Sequence, residues 1–166
     1  MESFKFRTQV EIKEEADAIG YSNRIMMLGS CFTTEIGKIM QDYRFNVMVN
    51  PFGVLYNPAS IASSIERIVS CKEFTNDDSV TVNPADTHCP HKYASFFHHS
   101  SFARLTPGEF LENANASLTE AHKFLKDSSN IIITLGTAWV FRHIERDIIL
   151  NYLFSQIVTN YKSEAF

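Results

Sequence analysis

Three cysteines at irregular spacing are too few and too unevenly placed to form a disulfide framework in this 166-residue chain. Their odd count points to reduced thiols. The N-terminal run Met1-Glu2-Ser3-Phe4-Lys5-Phe6 has no apolar signal core, and no run elsewhere approaches the length needed to span a bilayer. The net charge of −4 and isoelectric point near 5.8 give no electrostatic case for nucleic acid or an anionic membrane. Internal repeats and low-complexity segments are also missing. These exclusions leave a cytoplasmic location as the default. The composition, 45% hydrophobic and 20% charged, is that of an ordinary globular protein. The length suits a single domain over residues 1–166 with a real core.

The chain is organised around Arg24-Ile25-Met26-Met27-Leu28-Gly29-Ser30-Cys31-Phe32. An apolar run of strand length stops at a glycine, and two nucleophile-type side chains follow. Phe32, Ile36, Ile39 or Met40, and Tyr43 then recur at helical spacing, which predicts an amphipathic helix over 32–43. Ser30 and Cys31 therefore sit on a strand-to-helix turn. Unpaired N–H groups at a helix start favour a thiolate, an alkoxide or an oxyanion there.

Upstream, alternation over 4–8 suggests a short edge strand. Downstream, 46–49 reads as a second strand ended by the turn Asn50-Pro51-Phe52-Gly53. Asn57-Pro58 gives a helix start, with Ile61, Ile65, Ile68 and Val69 as its buried stripe. Periodicity is lost over 71–90, which reads as a long surface excursion. Residues 93–104 read as extended. Thr106-Pro107-Gly108-Glu109 is a capping box opening a helix to about Lys126, whose inner face carries Phe110, Ala114, Ser117 or Leu118, Ala121 and Leu125. The run Asn130-Ile131-Ile132-Ile133-Thr134-Leu135 is uninterrupted and β-branched, as expected of a strand covered on both faces. In the tail, positions 150, 153, 154, 157 and 158 favour a helix. The order β-α-β-α-loop-α-β predicts a mainly parallel sheet with helices on both faces.

Four segments carry a family resemblance. Leu28-Gly29-Ser30-Cys31-Phe32-Thr33 resembles the motif that names the GSCFA-domain proteins, with Thr33 where the name has alanine. The segments 49–58, 97–102 (Phe97-His98-His99-Ser100-Ser101-Phe102) and 134–140 (Thr134-Leu135-Gly136-Thr137-Ala138-Trp139-Val140) resemble the same family in order and separation. The resemblance covers roughly 24–142, and the tail 143–166 reads as divergent, in a truncated or C-terminally altered member. It implies an SGNH-like (GDSL-like) hydrolase scaffold: a flavodoxin-like, three-layer α/β fold, incomplete at its C-terminal end. Its implied chemistry is that of esterases, deacetylases and acyltransferases acting on a small-molecule or saccharide ester, without a cofactor.

In open parallel sheets, ligands bind beyond the carboxyl ends of the strands. Three such ends here carry Gly29-Ser30-Cys31, Asn50 to Gly53, and Gly136-Thr137-Ala138-Trp139. Laid on the Gly-Asp-Ser nucleophile motif of these hydrolases, the first tripeptide puts Cys31 at the nucleophile, with Ser30 as the alternative or as an N-cap. Gly53 matches their oxyanion-hole glycine. Their oxyanion asparagine aligns with Ala138, which leaves the Thr137 hydroxyl or a backbone N–H as substitute. Their Asp-x-x-His base is missing after Arg142, so His99 stands as base or substrate contact. Trp139 and Phe52 are candidates to stack on a sugar. His88, Cys89, His91, His98 and His99 match no zinc spacing, and no metal is assigned. A non-catalytic carbohydrate- or acyl-group-binding module is the rival reading.

Overall fold

An unbroken apolar run buries every residue from Ile25 to Gly29, and this strand, β1 (Arg24–Gly29), is the middle of the sheet. The computed structural model describes residues 19–82, 90–150 and 161–165. The elements that follow are α1 (Cys31–Asp42), β2 (Asn46–Val49), α2 (Pro58–Ser70), β3 (Val80–Val82), β4 (Lys92–Ala94), α3 (Pro107–Lys126), β5 (Asn130–Thr134), β6 (Trp139–His143), β7 (Ile148–Leu150) and β8 (Tyr161–Ala165). Strands β2, β1 and β5 form a parallel sheet in that order. The fold is mixed α/β of the flavodoxin-like kind, with helices flanking the sheet. The edge strand expected over 4–8 lies outside the described residues.

The two faces of β1 differ because successive side chains alternate. Met26 and Leu28 join Phe52, Leu55, Ile61, Ile68, Phe110, Ala114 and Leu118 in the main core, on the side of α2 and α3. Met27 stands in register with Val49, and Val49 packs against Gly37 of α1 on the opposite side. There the helix lies so close that a Cβ at Gly37 would fall 2.4 Å from Val49 Cγ2. This explains a departure from the sequence reading. Residues Thr33 and Gly37 form the buried side of α1, while Phe32, Ile39 and Tyr43 are exposed. Large apolar residues revealed the helix, but small ones seat it.

The capping signals act where expected. Asn57 Oδ1 accepts the Ser60 N–H at 2.8 Å, with Pro58 opening α2. Thr106 and Glu109 exchange capping-box hydrogen bonds at the start of α3. On α3 the buried stripe is Phe110, Ala114, Leu118, Ala121 and Phe124. On α2, Val69 is exposed rather than buried.

Four expectations need correction. Part of 71–90 is built into the fold: β3 pairs antiparallel with β4, and Arg67 holds Asp78 at 2.8 Å with its guanidinium 4.2 Å over Phe74. The segment 93–104 is extended only as far as Ala94, after which it turns into a 3-10 helix at Ser100–Phe102. Strand β5 is an edge strand, not a fully covered one. Its Ile131 and Ile133 face the same side as Met26 and Leu28 but remain about half exposed. In the tail, Ile148–Leu150 is a strand rather than part of a helix, and it pairs with β6, which also pairs with β8. The rest of the expected helix, 151–160, lies outside the described residues.

Candidate functional site

The turn from β1 into α1 can be made only by glycine at its first position. Gly29 has φ +146°, and a Cβ there would lie 2.2 Å from the Thr134 carbonyl oxygen. Its N–H donates to Asn50 Oδ1 at 2.8 Å, and its carbonyl accepts from Leu55 N–H at 2.8 Å. Ser30 occupies the N-cap position but makes no side-chain cap. Its N–H and hydroxyl both meet Thr134 Oγ1 at 3.2 Å, and it is 8% exposed. Thr33 Oγ1 joins the same oxygen through a short hydrogen bond. Thr134 thus pins the turn from β5 and draws Ser30 inward. Cys31, the first helical residue, is exposed, and its N–H has no partner among the described residues.

The second turn is fixed by its own strained backbone. Asn50 adopts a left-handed conformation (φ 46°), donates its N–H to the Met27 carbonyl, and uses its side chain to bridge Gly29 N–H and Thr34 Oγ1. Gly53 has φ +84°, and its N–H donates to the Asn50 carbonyl at 2.8 Å. His99 abuts this glycine and donates its own N–H to the Phe52 carbonyl at 2.9 Å.

The adjacent histidines have different fates. His98 is fully buried, within 4.6–5.7 Å ring-centroid distance of Phe52, Phe74, Phe102 and Phe110, and its Nδ1 meets Ser95 Oγ at 2.7 Å. Burial, with a smaller push from the Arg67 charge, lowers its pKa to about 3. It is a neutral core residue. His99 instead lines an open cleft of about 510 Å³ at the carboxyl end of the sheet, together with Thr34, Lys38, Asn50, Gly53 and Ser101. Its Nδ1 accepts the Ser101 N–H at 3.2 Å, so the neutral ring carries its proton on Nε2.

The third strand end closes the turn region rather than lining the cleft. Gly136 and Thr137 both donate their N–H groups to the Tyr56 carbonyl, at 2.8 and 3.0 Å. Gly136 lies against Ser30, where an added Cβ would be 3.5 Å from Ser30 Cβ. Thr137 Oγ1 accepts from Trp139 N–H at 3.0 Å, and the Trp139 ring is exposed. Phe52 is completely buried, so it cannot stack on a sugar. His143 packs against Phe96 at the far end of β6, and His88 and Cys89 lie outside the described residues.

A family model described as the GSCFA family matches residues 24–164. The chain belongs to the GSCFA family. The match runs past the 24–142 covered by the motif resemblance, so most of the tail read as divergent falls within the family. Neither the curated proteins nor the solved structures contain a match. No described helix of this GSCFA chain is long and apolar enough to cross a membrane.

Sequence reasoning missed Thr134, Thr34 and Lys38. The signal for the last two was present, since both share a helical stripe with Cys31. For Thr134 the signs were a polar residue ending an apolar strand and its place at the head of the 134–140 segment.

Proposed function

We propose that this chain is an acyl hydrolase or acyltransferase in which the Cys31 thiolate attacks an ester or amide carbonyl. One observation carries the reading: an exposed thiol on the first residue of α1, whose N–H has no partner among the described residues, one helical turn before Thr34 of a cleft that His99 and Asn50 also line. Attack forms the sulfur–carbon bond, and collapse breaks the carbon–oxygen or carbon–nitrogen bond. The leaving alcohol or amine takes a proton, and the thioester passes its acyl group to water or to an acceptor. Ser30 is the weaker candidate, because its hydroxyl is turned toward Thr134.

Mass spectrometry after brief exposure to p-nitrophenyl acetate tests this. An acetyl group on Cys31, released on standing and absent in Cys31→Ala, is the expected result. Acetylation confined to Ser30 or to surface lysines would overturn the assignment.

A specific observation also favours the binding-module reading. The N–H groups of Gly53, Gly136 and Thr137 all donate to carbonyls within the fold. An oxyanion in this conformation would meet the N–H of Cys31 but not those three.

A further inference from the structure

The side of α1 that faces the cleft is read from residue spacing. Cys31, Thr34, Lys38 and Gln41 are separated by three, four and three positions, which places them on one stripe of the helix. The last three line the cleft. Opposite them stand Asn50, Gly53, His99 and Ser101. Val49 and Val54 make part of this lining apolar, the Asn50 amide already donates to Thr34, and no carboxylate is part of it. Lys38 is its one lysine or arginine and is exposed.

Glu35 and Asp42 lie three and four positions from Lys38 on the same helix. Yet neither is joined to it by an ion pair among the described residues. A lysine in a concave wall that holds no carboxylate attracts an anion, and the concavity strengthens the field there. The spacing fixes where the anion would sit. Seven residues at 1.5 Å per residue separate Cys31 from Lys38 by about 10 Å along the axis. Helical side chains lean toward the N-terminus, which brings the ammonium back toward the thiol.

We infer that the cleft selects an acyl compound carrying an anionic group, carboxylate or phosphate, a few bonds from the reacting carbonyl, with Lys38 holding that group while the carbonyl lies at Cys31. Lys38 is a specificity residue and takes no part in bond making. The inference rests on the acyl-transfer reading for the carbonyl end, but the anion end can be measured separately.

Isothermal titration with glutarate and with glycerol phosphate, with glycerol as neutral control, measures the anion site. The parent chain is expected to bind at least one anion with an affinity that falls as salt rises. Lys38→Met should weaken binding about fivefold, and Lys38→Glu should abolish it. Glutarate binding alone assigns a carboxylate, and glycerol phosphate binding alone assigns a phosphate. Binding of neither anion, or binding unchanged in Lys38→Glu, overturns the inference. Acylation of Cys31 by mono-p-nitrophenyl glutarate and by p-nitrophenyl butyrate separates this failure from that of the chemistry. If neither ester acylates Cys31 while anion binding still needs Lys38, the acyl-transfer reading fails and the anion site stands. If both acylate equally and Lys38→Glu changes nothing, the anion site fails and the chemistry stands.

Discussion

Gly53 stands directly against His99: a Cβ added to the glycine would lie 2.3 Å from the histidine Cβ. Contacts between side-chain carbons that close do not occur, so one of the two segments must move if Gly53 is substituted. The φ of +84° adds backbone strain for any other residue. Gly53→Ala is therefore expected to push the 99–102 turn outward and lengthen the His99 N–H to Phe52 carbonyl bond. A loss of about 1–3 kcal/mol in urea unfolding should accompany it. Hydrogen exchange at the His99 amide checks the mechanism, because it should accelerate more than exchange in β1. Unchanged exchange at His99 would show that the turn does not depend on this contact.

His98 makes stability depend on pH in a predictable direction. Its pKa in the folded chain is lowered to about 3, from an ordinary value near 6.5, chiefly by burial and secondarily by Arg67. The unfolded chain therefore binds a proton that the folded chain refuses. The neutral ring's contribution is complete above about pH 6.5 and is lost as pH falls from there toward 3. The slope is about 1.4 kcal/mol per pH unit, or about 2 kcal/mol between pH 7 and pH 5. Urea unfolding at those two values should show this drop in the parent and a smaller one in His98→Gln. Equal drops in the two proteins would mean that other groups control the acid response.

Much of the scaffold was legible in the residues. The run 24–28, the Asn57-Pro58 start and the Thr106 to Glu109 box each fixed an element, because local sequence and tertiary packing agree at those points. The seating of α1 was not legible, since a glycine approaching a valine leaves no mark in a hydrophobic pattern. The strand at 148–150 was missed because its apolar run fits either period, and pairing with β6 decides it. At the site, the sequence located the three turns but could not say which N–H groups they engage internally. Only the family resemblance set His99 apart from His98, because the residue pattern treats the two alike. Neighbouring residues point different ways, and only the fold tells which one meets the core.

His99 itself gives the last prediction: it acts as a hydrogen-bond donor and not as a base, and simple esters turn over slowly. With Nδ1 accepting the Ser101 N–H, the neutral ring presents N–H at Nε2. A base would need the opposite tautomer, in which Nδ1 donates to an orienting acceptor. The N–H groups of Gly53, Gly136 and Thr137 are engaged within the fold, so none of them is open to an oxyanion in this conformation. A positioned base contributes about 10²–10⁴-fold and one oxyanion donor about 10²–10³-fold, so p-nitrophenyl acetate should be a poor substrate. His99→Gln keeps a side-chain N–H donor but cannot accept and carry a proton as imidazole does. It should therefore retain most of the parent's Cys31 acylation rate, while His99→Ala loses it. If both variants lose the rate equally, and the parent's rate rises with pH through the histidine range, His99 is a base and this assignment is wrong.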